Sequence, residues 1–160
     1  MKKISKLLLF ATLLFFFFSC DKVDDLTIYG PGTASVLSAS ASAIAPIPSD
    51  SNNVVLTLDW TSPNYATDSN NTKYIIEIDS VGKNFANPIK TVVMAALTTS
   101  YTAKQINAAL LARGYAFNVP VSMESRLISS YANNNERITS NTVAIKMTPY
   151  KVPPRVALPT

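Results

Sequence analysis

The chain has 160 residues, one cysteine and no histidine, and its 14 Lys and Arg outnumber its 10 Asp and Glu. Three of the lysines, Lys2, Lys3 and Lys6, lie at the N-terminus, and the remaining chain has 11 basic against 10 acidic residues. Nucleic-acid binding requires a clustered basic face, Ser-His and Cys-His nucleophiles require histidine, and zinc sites require sets of His and Cys. We therefore expect one domain of ordinary size that is not an enzyme, holds no metal or cofactor and binds no nucleic acid.

The first 19 residues have the pattern of a secretory signal peptide. Residues 1–6 are basic, and residues 7–18 are apolar apart from Thr12. This apolar run has the length of a signal-peptide core and falls short of the roughly 20 residues that a transmembrane helix needs. Acidic residues follow almost at once, at Asp21, Asp24 and Asp25. We predict a signal peptide over residues 1–19.

Cys20 is the single cysteine and directly follows this run. Ser19-Cys20 resembles the end of a bacterial lipobox, where the cysteine becomes the acylated first residue of the mature protein. Phe17 departs from that pattern, in which Leu is usual. Stable anchoring takes more than one acyl chain, and a multiply acylated Cys20 would meet this requirement. The alternative is a free or disulfide-bonded cysteine, for which the chain offers no intramolecular partner.

Composition divides the rest of the chain into three parts. Within residues 20–47 the stretch 33–47 is rich in Ala and Ser, and we interpret residues 20–47 as the acylated N-terminus and a flexible tether with a first strand near Ser35–Ala41. Residues 48–150 carry the strand patterns. Residues 151–160 contain Pro153, Pro154 and Pro159 and indicate an extended, proline-rich linker.

Alternation of apolar and polar residues, which is typical of half-buried strands, marks the middle part. In Val54–Trp60 the residues Val54, Leu56, Leu58 and Trp60 share one face. In Lys73–Asp79 we expect Tyr74, Ile76 and Ile78 to point inward and Glu77 and Asp79 to point outward to solvent. The further predicted strands are Ile89–Ala96, Val119–Tyr131 and Thr139–Thr148.

One segment has helical rather than strand character. Ala108, Ala109 and Ala112 favour a helix, and Ile106 and Leu110 recur at helical spacing. Thr102 and Gln105 form the pattern of a capping box, and Gly114 suits a helix end. We predict a short helix over Ala103–Ala112. Several short strands with turn-rich connections and one helix predict an all-β, antiparallel β-sandwich with Trp60, Tyr74 and Leu127 near its centre.

Several motifs together resemble the N-terminal domain of SusE, an outer-membrane lipoprotein of starch-utilisation-type systems in Bacteroidetes. Beside the lipobox, the resemblance rests on four segments over nearly the whole chain: Leu26-Thr27-Ile28-Tyr29-Gly30, Leu58-Asp59-Trp60, Tyr74-Ile75-Ile76-Glu77-Ile78-Asp79 and Ser129-Ser130-Tyr131-Ala132-Asn133-Asn134. It implies an immunoglobulin-like or fibronectin type III-like sandwich. It also implies a surface-exposed lipoprotein beside a TonB-dependent transporter and its lid lipoprotein, with Asp21, Asp24 and Asp25 as the surface-export signal.

Members of this family usually continue into further domains that hold the glycan sites. The resemblance therefore implies that this chain is an accessory component of a glycan-uptake complex, a spacer or docking module that holds binding domains away from the membrane. Two alternatives stay open: direct binding of polysaccharide by this domain, and a structural or adhesive surface protein unrelated to sugars.

Two loops have residues that suit direct sugar binding, for which proteins use an aromatic platform beside amide and charged side chains. Tyr65 lies close to Asn64 and Asp68 in the sequence. Tyr131 is followed by a polar turn that contains Asn133, Asn134, Asn135 and Arg137. The alternative for each loop is a solvated turn with its tyrosine packed on the sandwich edge.

Three further motifs contain residues with candidate chemistry. Asp79-Ser80-Val81 resembles the Asp-Ser/Thr-aliphatic site of O-glycosylation in Bacteroidetes, which makes Ser80 a candidate for modification. Glu77 and Asp79 would lie about 7 Å apart on one strand, a separation that glycosidase carboxylates can have, yet exposed acids on a strand more often serve solubility. Asp68, Asn70 and Asn71 offer oxygen atoms for calcium but lack an EF-hand pattern, so an ordinary loop is favoured.

Overall fold

The structure, a computed structural model, describes residues 31–66 and 68–152. The predicted signal peptide, Cys20 and the last eight residues lie outside these described residues. Two 3-10 turns, Pro48–Asp50 and Ser69–Asn71, precede strands β3 and β4. In chain order the strands and the helix are β1 Leu37–Ala39, β2 Ala43–Ile44, β3 Val54–Trp60, β4 Thr72–Ser80, β5 Ile89–Met94, β6 Thr98–Thr102, α1 Ala103–Ala112, β7 Val121–Tyr131, β8 Ile138–Thr139 and β9 Val143–Met147.

The described strands form two sheets. One has the order β1-β3-β6, and the other has the order β2-β9-β7-β4-β5 with β8 added to β7. Every pairing between these strands is antiparallel except the one between β2 and β9, which is parallel. The predicted all-β sandwich with one short helix is confirmed, and the parallel β2–β9 pair is the departure from a purely antiparallel arrangement.

The core lies between the two sheets and follows the predicted alternation. Leu56 and Leu58 of β3 are fully buried, as are Ile76 and Ile78 of β4 on the facing sheet. The Trp60 and Tyr74 rings meet with their centroids 5.3 Å apart. Leu127 is fully buried in the same cluster, so the predicted centre of the sandwich is confirmed.

The helix α1 has the predicted bounds and the predicted cap. The Thr102 amide donates to Oε1 of Gln105 at 2.8 Å, and Oγ1 of Thr102 accepts from the Gln105 amide at 3.4 Å. Gly114 follows with φ +81°, a left-handed conformation that glycine adopts without strain at a helix end. Among the described residues no helix is long and apolar enough to cross a bilayer.

Packing begins earlier in the chain than residue 48, where we placed the start of the sandwich. Leu37 of β1 and Ile44 of β2 are both buried in the core. The side chain of Asn141 holds β1 by accepting from the Leu37 amide at 2.7 Å and donating to the Leu37 carbonyl at 2.9 Å. The segment that we interpreted as a flexible tether with a first strand near Ser35–Ala41 has its first strand at that place, β1, and also supplies β2 to the other sheet.

Three strand details differ from the sequence-based expectation. Strand β6 was not predicted, because Thr98–Thr102 runs directly into the helix cap. Val54 was expected to face inward, but a register shift between Val54 and Leu56 leaves it 59% exposed. The predicted strand Thr139–Thr148 is broken into β8 and β9, and Asn141, which clamps Leu37, lies in the break.

Candidate functional site

The structure brings together the two tyrosines that were candidates for sugar binding in separate loops. Tyr65 lies in the connection after β3, and Tyr131 is the last residue of β7. Their ring centroids are 4.6 Å apart, and the side chains are only 8% and 5% exposed. Each tyrosine therefore covers a face of the other, and an aromatic face is not open to solvent as a sugar platform would require.

Hydrogen bonds fix Tyr65 further. Its hydroxyl donates to the carbonyl of Glu136 and lies 3.4 Å from Oγ of Ser129. Burial raises the pKa of the Tyr65 hydroxyl, because the phenolate would lose its hydration. The neutral Tyr65 hydroxyl thus connects the loop after β3 to the turn after β7.

The polar members of the predicted cluster lie on the surface beside this pair. Asn133, Asn134 and Arg137 are exposed in the turn that follows β7. Oδ1 of Asn133 accepts from the Asn135 amide at 3.1 Å, and Asn134 has a left-handed φ of 70° that suits a tight turn. The amide and guanidinium groups could bind a polar ligand from solution, but without a ring face next to them.

The tyrosine pair also marks the place where the described chain enters the fold. A Cβ atom built on Gly32 would lie 2.4 Å from Cε1 of Tyr65, so only glycine fits against this ring. The Thr33 amide donates to the Pro63 carbonyl at 2.6 Å. We call this the entry end. Gly32 is the sequence signal for this close approach, although glycine at this position does not by itself indicate which residue it contacts.

The chain leaves at the opposite end of the sandwich, which we call the exit end. The Tyr150 amide donates to Oδ1 of Asn107 at 2.8 Å, and Nδ2 of Asn107 donates to the Tyr150 carbonyl at 3.1 Å. The Tyr150 hydroxyl lies 3.3 Å from Oγ of Ser51. Asn107 is buried in α1, and a lone amide on the apolar side of a helix is the sequence hint for this contact.

Ser80, the candidate for O-glycosylation, lies at the last position of β4 and is half-buried. Its hydroxyl is hydrogen-bonded to the hydroxyl of Tyr115. The buried Asp79 carboxylate accepts from the Ser80 amide at 2.8 Å and from the Asn87 amide at 3.2 Å. The sequence motif therefore lies in an ordered turn, in which Asp79 fixes the backbone and Val81 is exposed.

Glu77 and Asp79 point away from the core as predicted, but they are buried rather than solvated, which corrects our expectation. They lie on the face of the six-stranded sheet that is turned away from the core, which we call the outer face. Residues 81–88 fold back over this face: the centroid of the Phe85 ring lies 4.1 Å from the guanidinium carbon of Arg126, and the Asn87 amide donates to the Asp79 carboxylate. Asn84 and Phe85, both with positive φ, allow this reversal.

Each of these carboxylates has cationic partners. Glu77 contacts Arg126 of β7 and Lys90 of β5, whose nitrogens lie 2.8 Å and 3.2 Å from its oxygens. Asp79 lies 3.7 Å from a guanidinium nitrogen of Arg113. The two acids are thus engaged in separate ion pairs that hold the outer face together.

Asp68, the candidate calcium ligand, caps a 3-10 turn, because its carboxylate accepts a hydrogen bond from the Asn70 amide.

Comparison with known proteins gives one informative result. No curated protein matches the chain significantly. The family model described as SusE outer membrane protein matches residues 22–128. This match covers two thirds of the 160 residues and extends from before β1 into β7. The chain therefore belongs to the SusE outer membrane protein family, and its location is the outer membrane.

Proposed function

We propose that this chain is a surface-exposed, lipid-anchored accessory component of a glycan-uptake complex, in which its sandwich serves as a spacer and docking module. The observation that carries the proposal is the position of the entry and exit ends. Thr33 packs against Pro63 after the end of β3, whereas Tyr150 packs against Ser51 before its start. The chain therefore enters and leaves at opposite ends of a seven-residue strand, about 20 Å apart by strand rise.

This geometry suits a module that holds whatever follows it away from the membrane. In the proposal, acylated Cys20 anchors the chain, and residues 21–31 connect this anchor to the entry end. The exit end then points away from the anchor toward the proline-rich linker. Family membership in the SusE outer membrane proteins supports this role, and the partners we propose are a TonB-dependent transporter and its lid lipoprotein.

The anchor is tested by cell fractionation of the full chain. Wild-type protein should be found in the outer-membrane fraction and should be degraded by protease added to intact cells. Cys20→Ala should leave the membrane fraction, whereas Val54→Ala, a change at an exposed strand position, should behave like wild type. Retention of Cys20→Ala in the membrane fraction would contradict the proposal that Cys20 carries a lipid anchor.

The spacer role is tested by affinity electrophoresis of the chain in gels that contain starch or other polysaccharides. The buried tyrosine pair leads us to expect unretarded migration. Strong retardation would overturn the spacer assignment and favour direct polysaccharide binding. In that case Asn134→Ala and Arg137→Ala should abolish the retardation, because these side chains are exposed at the entry end.

The proposed partners are tested by cross-linking intact cells and purifying this chain from solubilised outer membranes. A TonB-dependent transporter and a lid lipoprotein should be recovered with it. Recovery of neither would favour a structural or adhesive surface protein that is unrelated to sugars.

Ser80 stays a proposed site of O-glycosylation. The half-buried hydroxyl lies next to exposed Val81 in the ordered turn after β4. The intact mass of the protein from its own cells should exceed the sequence mass by a glycan, and Ser80→Ala should remove that increment. An unmodified wild-type mass would contradict the proposal.

A further inference from the structure

Strand β5 forms the long edge of the six-stranded sheet, and among the described residues it pairs on one side only, with β4. It runs over six residues, Ile89–Met94. Proteins usually protect such an edge with charges, proline, a bulge or a covering segment. In β5 the charged residue is Lys90, whose ammonium is already engaged by Glu77, whereas Val92 and Met94 are 59% and 46% exposed.

The alternation of hydrogen-bonded and non-hydrogen-bonded residue pairs between β4 and β5 shows which backbone groups of β5 point to this edge. The Ala95 amide donates to the Thr72 carbonyl at 3.1 Å, one step beyond the Lys73–Met94 pair. Hydrogen-bonded and non-hydrogen-bonded pairs alternate in an antiparallel ladder. Ile89, Thr91 and Val93 therefore direct their backbone groups to β4, and the alternate residues Lys90, Val92 and Met94 direct theirs away from it.

Within the described part of the chain, the amides of these three edge residues have no backbone acceptor. The Met94 carbonyl accepts from the Ala96 amide at 2.8 Å and keeps a second lone pair. The same three residues carry the exposed side chains of β5. Backbone donors and acceptors and apolar side chains are thus presented together at one edge.

This edge is complementary to itself. A two-fold axis through Val92 would set Val92 opposite its own copy and Lys90 opposite the partner's Met94. All three residues that point outward would then form hydrogen-bonded pairs, because their separations are even and the phase is preserved. The Lys90 ammonium of each copy would face the thioether of the partner's Met94. Two like charges at directly opposite positions would be destabilising, and this register avoids them.

We propose that β5 is the interface of a homodimer, in which two copies of this chain join their six-stranded sheets edge to edge around Val92. The contact is isologous and closes on itself, as in most two-fold oligomers. It would bury Val92 and Met94 and satisfy the outward backbone groups of β5. It leaves the entry and exit ends of both copies free.

Cysteine cross-linking of the full chain in its own membrane tests the register. The Cα atoms of a hydrogen-bonded antiparallel pair lie about 5.5 Å apart, within the range that a disulfide bridges. Val92→Cys should give a reducible dimer on mild oxidation. Val54→Cys is the matched control, because Val54 is a strand valine with the same 59% exposure; it and the wild-type chain should stay monomeric on denaturing gels.

A charge-swap experiment tests the same contact without a covalent bond. In mild detergent the wild-type chain should sediment as a dimer. Val92→Lys and Val92→Glu should each weaken dimerisation by roughly tenfold or more, since two like charges would face each other at the axis. An equimolar mixture of the two variants should restore the dimer, and Val54→Lys should dimerise like wild type.

A wild-type chain that sediments as a monomer at high concentration would overturn the proposal. It would also be overturned if Val92→Lys dimerised as well as wild type, or if Val54→Cys cross-linked as efficiently as Val92→Cys. The variants at position 92 should keep the far-UV circular dichroism spectrum of the wild-type chain, because the Val92 side chain is exposed and its backbone groups point away from β4.

Discussion

Nε and Nη2 of Arg126 both lie 2.8 Å from Oε2 of Glu77, across the β4–β7 pair. Lys90 approaches the other carboxylate oxygen from β5 on the opposite side. The three side chains thus form a ladder over three adjacent strands, beneath the Phe85 ring that covers Arg126. Glu77 is a buried acid that joins β4 to both of its neighbours, β7 and β5.

We expect Glu77→Ala to destabilise the fold. Loss of one partner from a fully buried pair costs about 3–5 kcal/mol; because Arg126 and Lys90 are partly exposed, we expect about 2 kcal/mol here. Urea unfolding followed by tryptophan fluorescence would measure it. Asp59→Ala, at an exposed position of β3, is the control and should stay within about 0.5 kcal/mol of wild type. Equal effects of the two changes would show that the ladder contributes nothing.

Trp60→Ala should cost about 3–5 kcal/mol, because it removes a large buried side chain and leaves a cavity beside Tyr74. Differential scanning calorimetry would show the loss as a lower melting temperature. Val54→Ala removes apolar atoms from the same strand at an exposed position and should have little effect. An unchanged melting temperature for Trp60→Ala would mean that the inward face of β3 is misassigned.

Thr102→Ala should cost about 1 kcal/mol, the usual contribution of a helix N-cap. The reason is the reciprocal pair of hydrogen bonds between Thr102 and Gln105 at the start of α1. Thr102→Ser keeps the hydroxyl and should retain most of the stability, as chemical denaturation would show. Destabilisation of both variants to the same extent would attribute the effect to the lost methyl group rather than to the cap.

The protein should lose stability above about pH 10. Burial raises the pKa of Tyr65 and of Tyr74 above the ordinary value of 10.0 in the folded state. Below pH 10 the two tyrosine hydroxyls are protonated in both the folded and the unfolded state, so stability does not depend on them. Above pH 10 the tyrosines of the unfolded chain lose their protons first, and this favours unfolding. Denaturation midpoints measured from pH 8 to pH 11.5 would show the decline. Tyr65→Phe should make it shallower, and an unaltered slope would argue against a raised pKa.

Local patterns in the sequence were enough for the parts of the fold that depend on neighbouring residues. Alternation identified β3 and β4, since each has one buried face, and the capping residues located α1 to the residue. Strand β6 was missed because Thr98–Thr102 has little alternation and is followed at once by a helix. Leu37 was missed as a core residue because its Ala- and Ser-rich surroundings have the composition of a tether.

The candidate site was harder to predict, because it depends on contacts between distant residues. Tyr65 and Tyr131 are 66 positions apart, and no local pattern indicates that their rings meet. A tyrosine packed on the sandwich edge was the alternative that the sequence left open for each, and both residues are buried, but their contact with each other could not be inferred from either segment. The burial of Glu77 likewise depends on the fold-back of residues 81–88, which sequence periodicity does not reveal.

The positions of the entry and exit ends have a mechanical consequence. Tension between the membrane side and the far side of the sandwich would run nearly parallel to the strands. The hydrogen bonds of β1 with β3, and of β2 with β9, lie across that direction, so they would have to shear together instead of opening one by one. The Asn141 clamp on Leu37 would resist the same slippage. A sandwich loaded in this way should unfold slowly under force, which suits the proposed role of a spacer that is anchored at one end.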